Sequence, residues 1–345
     1  MCWHKDGYAA GEWQYDERGN KVEQRCYGVD GKPSLHKNGV AKTVWTYDER
    51  GRLTEIAHFG VDGSPCVHKE DACAKIVKRY DDRGNNTQDA YFGADGKPCL
   101  LNGVAVVKWS YDERDRQVER SYLGADGEPC SHKDGCAKFT TEYDERGKQV
   151  ERRCYDVDGN LCVINDGYAV VQWKYDERGN KIEEAYFGVD GEPCWYRQDG
   201  FSAITWSYDE RGNQIERACW GVDGKPSLET DGFSKLRRKY DELGRMVEEA
   251  VFDVDDKPCL YGDEGYSKFT SKYDPRGNRI EVANYGSDGK LCLHTDGFAK
   301  IIWKYDDWGR KIEEACFGLD GEPCWHTDGY AKFTTEYASD RKSVV

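Results

Sequence analysis

Long apolar runs are missing from this sequence. So is any stretch of ten residues that combines a helical period with freedom from glycine and turn signals. The first absence excludes a membrane-spanning helix, and the second argues against an α-helical fold. The N-terminus, MCWHKDGYAAGEWQYDERG, has no apolar segment of the kind a secretory signal needs. Positive charge is in deficit: 50 Lys and Arg face 65 Asp and Glu, a net charge of −15. Such a surface repels nucleic acid and acidic membranes, so neither is an expected partner. No phosphate-binding loop, nucleophile elbow or zinc-protease motif occurs.

What the chain has is repetition. Tyr-Asp opens ten copies of one sentence, at Tyr15, Tyr47, Tyr80, Tyr111, Tyr143, Tyr175, Tyr208, Tyr240, Tyr273 and Tyr305, and Tyr337 stands alone at the end. The unit is about 32 residues, and about ten and a half copies fill the chain. A unit that small cannot bury a core by itself. Tandem copies therefore mean one array in which neighbours complete each other. The expectation is a single continuous array over 1–337 followed by a tail at 338–345. Because Cys2-Trp3-His4 aligns with Cys324-Trp325-His326, the chain begins in mid-copy and reads as a piece of a longer array.

Spacing separates framework from loop. From each opening Tyr to the Pro of the D-G-x-P turn is 18 residues, as in Tyr15 to Pro33, with Leu161 and Leu291 replacing Pro twice. From the later Gly to the next Tyr is 8, as in Gly39 to Tyr47 and Gly329 to Tyr337. Length varies only in the stretch after Pro, which is where an exposed loop tolerates insertion. Three Gly-containing turns punctuate each copy, and such turns join antiparallel strands. Asp115 replaces the Gly of the first turn, and Asp156 and Asp253 that of the second; Asp tolerates a left-handed backbone. Between turns the period is two: Ala169, Val171, Trp173 and Tyr175 share one face. The predicted fold is all-β, an open tandem-repeat array, either a β-solenoid or a spiralling hairpin ribbon. Each copy has two long strands and one short extended piece. A closed propeller needs longer units with four strands each.

The run Tyr175-Asp176-Glu177-Arg178-Gly179-Asn180 resembles the YD repeat of rearrangement-hotspot (Rhs) and related bacterial proteins, and the match recurs in the ten copies. It covers about a fifth of each copy; the D-G-x-P and D-G-Y/F-A segments are additional. The resemblance implies an elongated bacterial β-repeat structure acting as a shell or spacer. A weaker similarity, in spaced aromatics and glycines, is to cell-wall-binding repeats.

Four rows of recurring side chains are candidates for chemistry. Of 15 cysteines, nine follow Pro or align there, from Cys2 and Cys66 to Cys324, with Ser34 and Ser227 in two copies. Cys26, Cys154, Cys219 and Cys316 sit before the aromatic of the second strand. Exchange with Ser, Tyr and Val marks space-filling thiols and not a ligand cluster. Free thiols point to a cytoplasmic, reducing compartment, with the cell surface as the alternative. Six histidines, His4, His36, His68, His132, His294 and His326, form an intermittent row beside the cysteines. No metal site is assigned; if a metal binds, the N-terminal copies with His4, His36 and His68 are the place. Glu23, Glu55, Glu119, Glu183, Glu248 and their equivalents form a third row, expected to bond to backbone. Trp13, Trp45, Trp109, Trp173, Trp206 and Trp303 form the fourth, the candidate binding strip.

Every conspicuous residue recurs, whereas catalytic groups are singular and gather in one pocket. The singular ones, His58, Met246 and Pro275, have no recognisable partners in the sequence. The reading is a non-enzymatic scaffold without cofactor that binds a protein partner along an extended surface or spaces other domains. The alternatives are a carbohydrate or cell-envelope array using the Trp row, and a metal-binding or enzyme-associated region.

Overall fold

A computed structural model describes residues 6–337. Its regular elements are 21 strands. They are β1 (Ala10–Tyr15), β2 (Lys21–Tyr27), β3 (Lys42–Tyr47), β4 (Leu53–Phe59), β5 (Lys75–Tyr80), β6 (Asn86–Phe92), β7 (Val106–Tyr111), β8 (Gln117–Leu123), β9 (Lys138–Tyr143), β10 (Gln149–Tyr155), β11 (Val170–Tyr175), β12 (Lys181–Phe187), β13 (Ala203–Tyr208), β14 (Gln214–Trp220), β15 (Lys235–Tyr240), β16 (Met246–Phe252), β17 (Lys268–Tyr273), β18 (Arg279–Tyr285), β19 (Lys300–Tyr305), β20 (Lys311–Phe317) and β21 (Lys332–Thr334). The one helical turn among the described residues is Gly262–Glu264, inside the length-variable loop. Among the described residues no helix is long and apolar enough to cross a membrane.

The chain divides into two compact units, 1–171 with 188–191, and 172–187 with 192–345. In the first, β1 to β10 pair consecutively and antiparallel. In the second, β12 to β21 do the same. The result is the open, repeating antiparallel array expected of the period-two pattern. Each copy is a tight hairpin, as in β5–β6 from Lys75↔Phe92 to Tyr80↔Asn86, with a register shift between Arg79 and Tyr80. The join to the next copy is shorter: β6 meets β7 only from Gln88↔Lys108 to Ala90↔Val106. The third extended piece is an isolated bridge, such as Phe92↔Pro98.

Because the ladder between copies is short, side chains complete the join. The opening tyrosine reaches back one copy. Tyr80 Oη donates to Leu53 O at 2.8 Å, Tyr111 to Asn86 O at 2.8 Å, and Tyr240 to Gln214 O at 3.0 Å. The lone Tyr337 does the same to Lys311 O at 3.0 Å. The turn arginine reaches forward. Arg50 donates to Asp82 O at 2.5 Å, Arg114 to Glu145 O at 2.9 Å, and Arg276 to Asp307 O at 2.6 Å. The Asp of Tyr-Asp closes its own turn: Asp16 Oδ1 accepts the backbone N–H groups of Arg18 and Asn20. This is an Asx-type turn, the reason Asp recurs there.

Two turn substitutions separate in the structure. Asp115 occupies a left-handed backbone at φ 60°, as expected for a glycine replacement. Asp156 and Asp253 do not: the first glycine of that turn is not left-handed, and these carboxylates instead accept the N–H groups of Asp158 and Asn160, and of Asp255 and Lys257. Local capping, not φ, explains them.

The core of each unit is a thin seam. Small residues at the start of the first strand, such as Ala74, Ala105 and Ala137 in one unit and Ser202, Ser234 and Ser267 in the other, are buried. Beside them lie Cys26, His58, Tyr122 and Cys154, and Tyr186, Cys219, Val251, Asn284 and Cys316. Both backbone groups at the small position are used, as where Ala74 N donates to Phe92 O and Ala74 O accepts from His58 N, each at 2.8 Å.

Tyr111→Phe keeps the ring and removes one bond between copies. The expected loss is about 1 kcal/mol, read as a lower urea midpoint at unchanged far-ultraviolet circular dichroism. An unmoved midpoint would deny the hydroxyl its stapling role.

Candidate functional site

The tryptophan strip is half-buried at Trp45, Trp109, Trp173, Trp206 and Trp303, and Trp13 is 44% exposed. Its faces meet cations. Lys21 lies 5.9 Å from the Trp13 ring and 4.8 Å from that of Trp45 in the next copy. Lys181 lies 4.6 Å from Trp206, and Arg279 5.0 Å from Trp303. Trp303 Nε1 also donates to Glu314 at 2.8 Å. These rings serve as cation–π links between copies. The Glu row departs from the expectation of backbone bonding. Glu183 pairs with Lys174 at 2.9 Å, Glu281 with Lys272 at 2.8 Å, and Glu313 with both Lys304 and Lys332. Cross-strand lysines reach these carboxylates, while the turn arginines extend to the next copy's turn carbonyls.

The described cysteines are free thiols. Their exchange with serine has a geometric cause. Cys66, Cys130 and Cys324 donate Sγ–H to the carbonyls of Gly39, Gly103 and Gly297 one copy back, at 3.7, 3.7 and 3.4 Å. Ser227 Oγ makes the same bond to Gly200 O at 3.4 Å. Burial pushes the Cys73 and Cys136 thiols up to about 12. Cys2 and His4 lie outside the described residues.

The histidine row is mostly a turn element. His132 Nδ1 faces Asp134 Oδ2 at 2.9 Å and accepts the Asp134 N–H. His294 and Asp296 repeat this at 3.2 Å. One copy differs. His58, which seemed partnerless in the sequence, lies on β4 opposite Thr43, 3% exposed, with its ring stacked on His68 at 4.7 Å. The backbone explains the placement. His58 O accepts from Cys66 N, His58 N donates to Ala74 O, and His68 N closes the loop onto Cys73 O. The intervening loop is thereby folded over β4. Asp71 Oδ2 then sits 3.2 Å from His58 Nε2 and 3.0 Å from His68 Nδ1. These three side chains could hold a metal ion. They border a cavity of about 290 Å³, shared with His36, Asn38, Gln24 and Thr43. Burial, and then the neighbouring His68, pushes the His58 imidazole below its ordinary pKa.

Ala72, next to Asp71, has φ 50° where the other described copies carry Gly eight residues before Tyr. That break in the column, together with the singular His58, is the signal the sequence offered.

Two shallower pockets occupy corresponding places. One, of about 210 Å³, is bordered by Tyr27, Pro33, Gly60, Val61 and Gly63. The other, of about 270 Å³, is bordered by Phe187, Pro193, Gly221, Val222 and Gly224. Each joins the aromatic and Pro of one copy to the second turn of the next.

No family model matches the chain, and no curated protein matches it. Similar solved structures include TcdB2-TccC3 without its hypervariable C-terminal region, at a TM-score of 0.45 and 12% identity over 89% of this chain and 14% of that one. TcdB2-TccC3-TEV is similar at 0.41 and 14% identity, over 88% and 14%. The Photorhabdus luminescens Tc holotoxin pore is similar at 0.38 and 12% identity, over 89% and 15%. The chain thus spans about a seventh of the length of these chains.

Two pH effects follow from the turns and thiols. Backbone N–H donation by Arg116, then its guanidinium, holds the Asp112 carboxyl down to about 2, against an ordinary 3.8. A lowered carboxyl stabilises the fold above its unfolded pKa, so this contribution falls away as pH drops from about 4 towards 2. Asp112→Asn should flatten the fall in urea midpoint between pH 5 and pH 3; an identical fall would exclude this turn as a cause. The raised Cys73 and Cys136 thiols stay protonated in the native state, so iodoacetamide at pH 8 should label them after Cys99 and Cys130, read by mass spectrometry. Equal labelling rates would contradict their burial.

Proposed function

We propose that this chain is a non-enzymatic β-repeat scaffold that binds an extended segment of another protein along its rim. The observation carrying this reading is the recurrence of one pocket, walled by the aromatic and Pro of one copy and the second turn of the next, at corresponding positions in different copies, one in each compact unit. An exposed apolar row adds to it. In the first unit it holds Leu35, Val67, Leu100 and Val163; in the second Trp195, Leu228, Leu260, Leu293 and Trp325. Exposed apolar side chains arranged in register mark an interaction surface more than scattered ones do. Acidic second turns run beside them, with Asp62 next to Val61 and Asp223 next to Val222. With a net charge of −15, the fitting partner is an extended peptide with apolar side chains at regular spacing and basic residues between them. The YD-repeat resemblance supports the same architectural role, that of a bacterial shell or spacer.

A random-peptide display library, panned against the full chain, tests the reading. Enriched peptides should combine apolar and basic residues, bind less tightly at higher salt, and lose affinity stepwise in Leu228→Asp, Leu260→Asp and the double variant. Absence of enrichment, or binding indifferent to these changes, would overturn it.

A further inference from the structure

The His58 side chain is buried on β4, and its Nε2 has no hydrogen-bond partner. Asp71 Oδ2 is 3.2 Å away but without hydrogen-bond geometry. Tyr122 Oη and Asn284 Nδ2, at the same place in other copies, are also unpartnered, so what sets His58 apart is the pair of ligand atoms facing it. On the other side of the ring, the Thr43 hydroxyl lies 3.1 Å from Nδ1. A proton on Nδ1 shared with Thr43 leaves the Nε2 lone pair facing the cavity. That is the tautomer and orientation a metal-binding imidazole needs.

The three candidate donor atoms lie within 4.8 Å of one another, and the two distances to Asp71 match those of a bound ion. Asp71 Oδ2 is 3.2 Å from His58 Nε2 and 3.0 Å from His68 Nδ1. A tetrahedral ion with bonds of about 2.0–2.1 Å keeps its ligand atoms about 3.3 Å apart. The His–Asp pair alone would not argue for a metal, since His132 makes the same two contacts with Asp134 across a turn one residue shorter. There the place of His58 is taken by Tyr122, stacked on His132 at 4.8 Å. The second imidazole nitrogen is what distinguishes this copy.

We propose that His58 Nε2, His68 Nδ1 and an Asp71 carboxylate oxygen bind one borderline divalent cation of the zinc class, with water from the cavity completing its shell. Two imidazoles and one carboxylate select such ions over magnesium or calcium, which prefer oxygen ligands. An ion lies in both ring planes only when the His68 ring turns out of its stack with His58. His68 is the freer of the two, with its side chain 13% exposed against 4%. Turning also releases the Asp71 N–H, now bonded to His68 Nδ1 at 3.2 Å, and the Asn38 Nδ2 that lies 3.0 Å from His68 Nε2. Binding would tie the loop after Pro65 to β4. The inference is independent of the rim-binding reading.

The test is equilibrium dialysis of the chelator-treated full chain against zinc, with bound metal measured by mass spectrometry. One tight equivalent per chain is expected. Asp71→Asn and His58→Asn should each weaken it at least tenfold, while Asp134→Asn leaves it unchanged. Asn is tolerated at the buried position, as Asn284 occupies the corresponding place in a later copy. If His58→Asn does not fold, the more exposed Asp71→Asn variant decides. A cobalt-loaded chain supplies a second readout, a visible ligand-field absorption that Asp71→Asn abolishes. No tight equivalent, or one that survives Asp71→Asn, would overturn the proposal.

Discussion

A tyrosine hydroxyl reaching the backbone carbonyl of the preceding copy is the contact on which the array depends. The backbone ladder between copies has only three registered pairs, against six within each hairpin, as β6–β7 and β5–β6 show. Without further links, each hairpin would be a marginal two-stranded unit. Tyr reaching back, Arg reaching forward and Cys or Ser bonding a glycine carbonyl supply those links at three different heights of the copy. Each is a bond that one copy cannot make alone. This is the physical content of the repeat: stability comes from nearest neighbours.

The same contacts explain which columns vary. Serine replaces cysteine where the requirement is a short donor aimed at a glycine carbonyl. The Trp row accepts other side chains, short ones at Thr141 and Ser271 included; Lys78 there pairs with Asp89 at 2.5 Å. In the other copies, cations cover the indole faces of Trp45 and Trp206. Some rings of the candidate strip thus meet cations within the molecule, and a second exposed apolar row lies in the loop after Pro and in the second turn. Sequence reading passed over that surface, because Val and Leu among turn residues look like filler until exposure is known.

The His58 cluster was hidden for a related reason. Reading by columns rewards what recurs, and this cluster turns on one exception, His58, set against His68 of the histidine row and Asp71 of the D-G turn. His58 occurs once in its column, Ala72 breaks the glycine column, and the loop holding Asp71 is one of the longer ones. Nothing in the sequence says that the loop doubles back on β4. The bonds from His58 O, His58 N and His68 N do that, and they are long-range backbone contacts.

The period-two alternation, the Gly and Asp turns and the tyrosine spacing determined by themselves an all-β array, where its hairpins turn, and which stretch of each copy is free to vary. These are local properties, set by backbone sterics and by a side-chain period that a linear text displays. Tertiary structure alone decided which partner each recurring side chain meets: Lys for Glu, a carbonyl for Tyr and Arg, a cation for Trp. It also decided that the unrepeated His58 meets two members of recurring columns, His68 and Asp71, at one cavity. Those outcomes depend on the offset between neighbouring copies, about 32 residues away along the chain but adjacent in the sheet, and no sequence pattern encodes that offset directly.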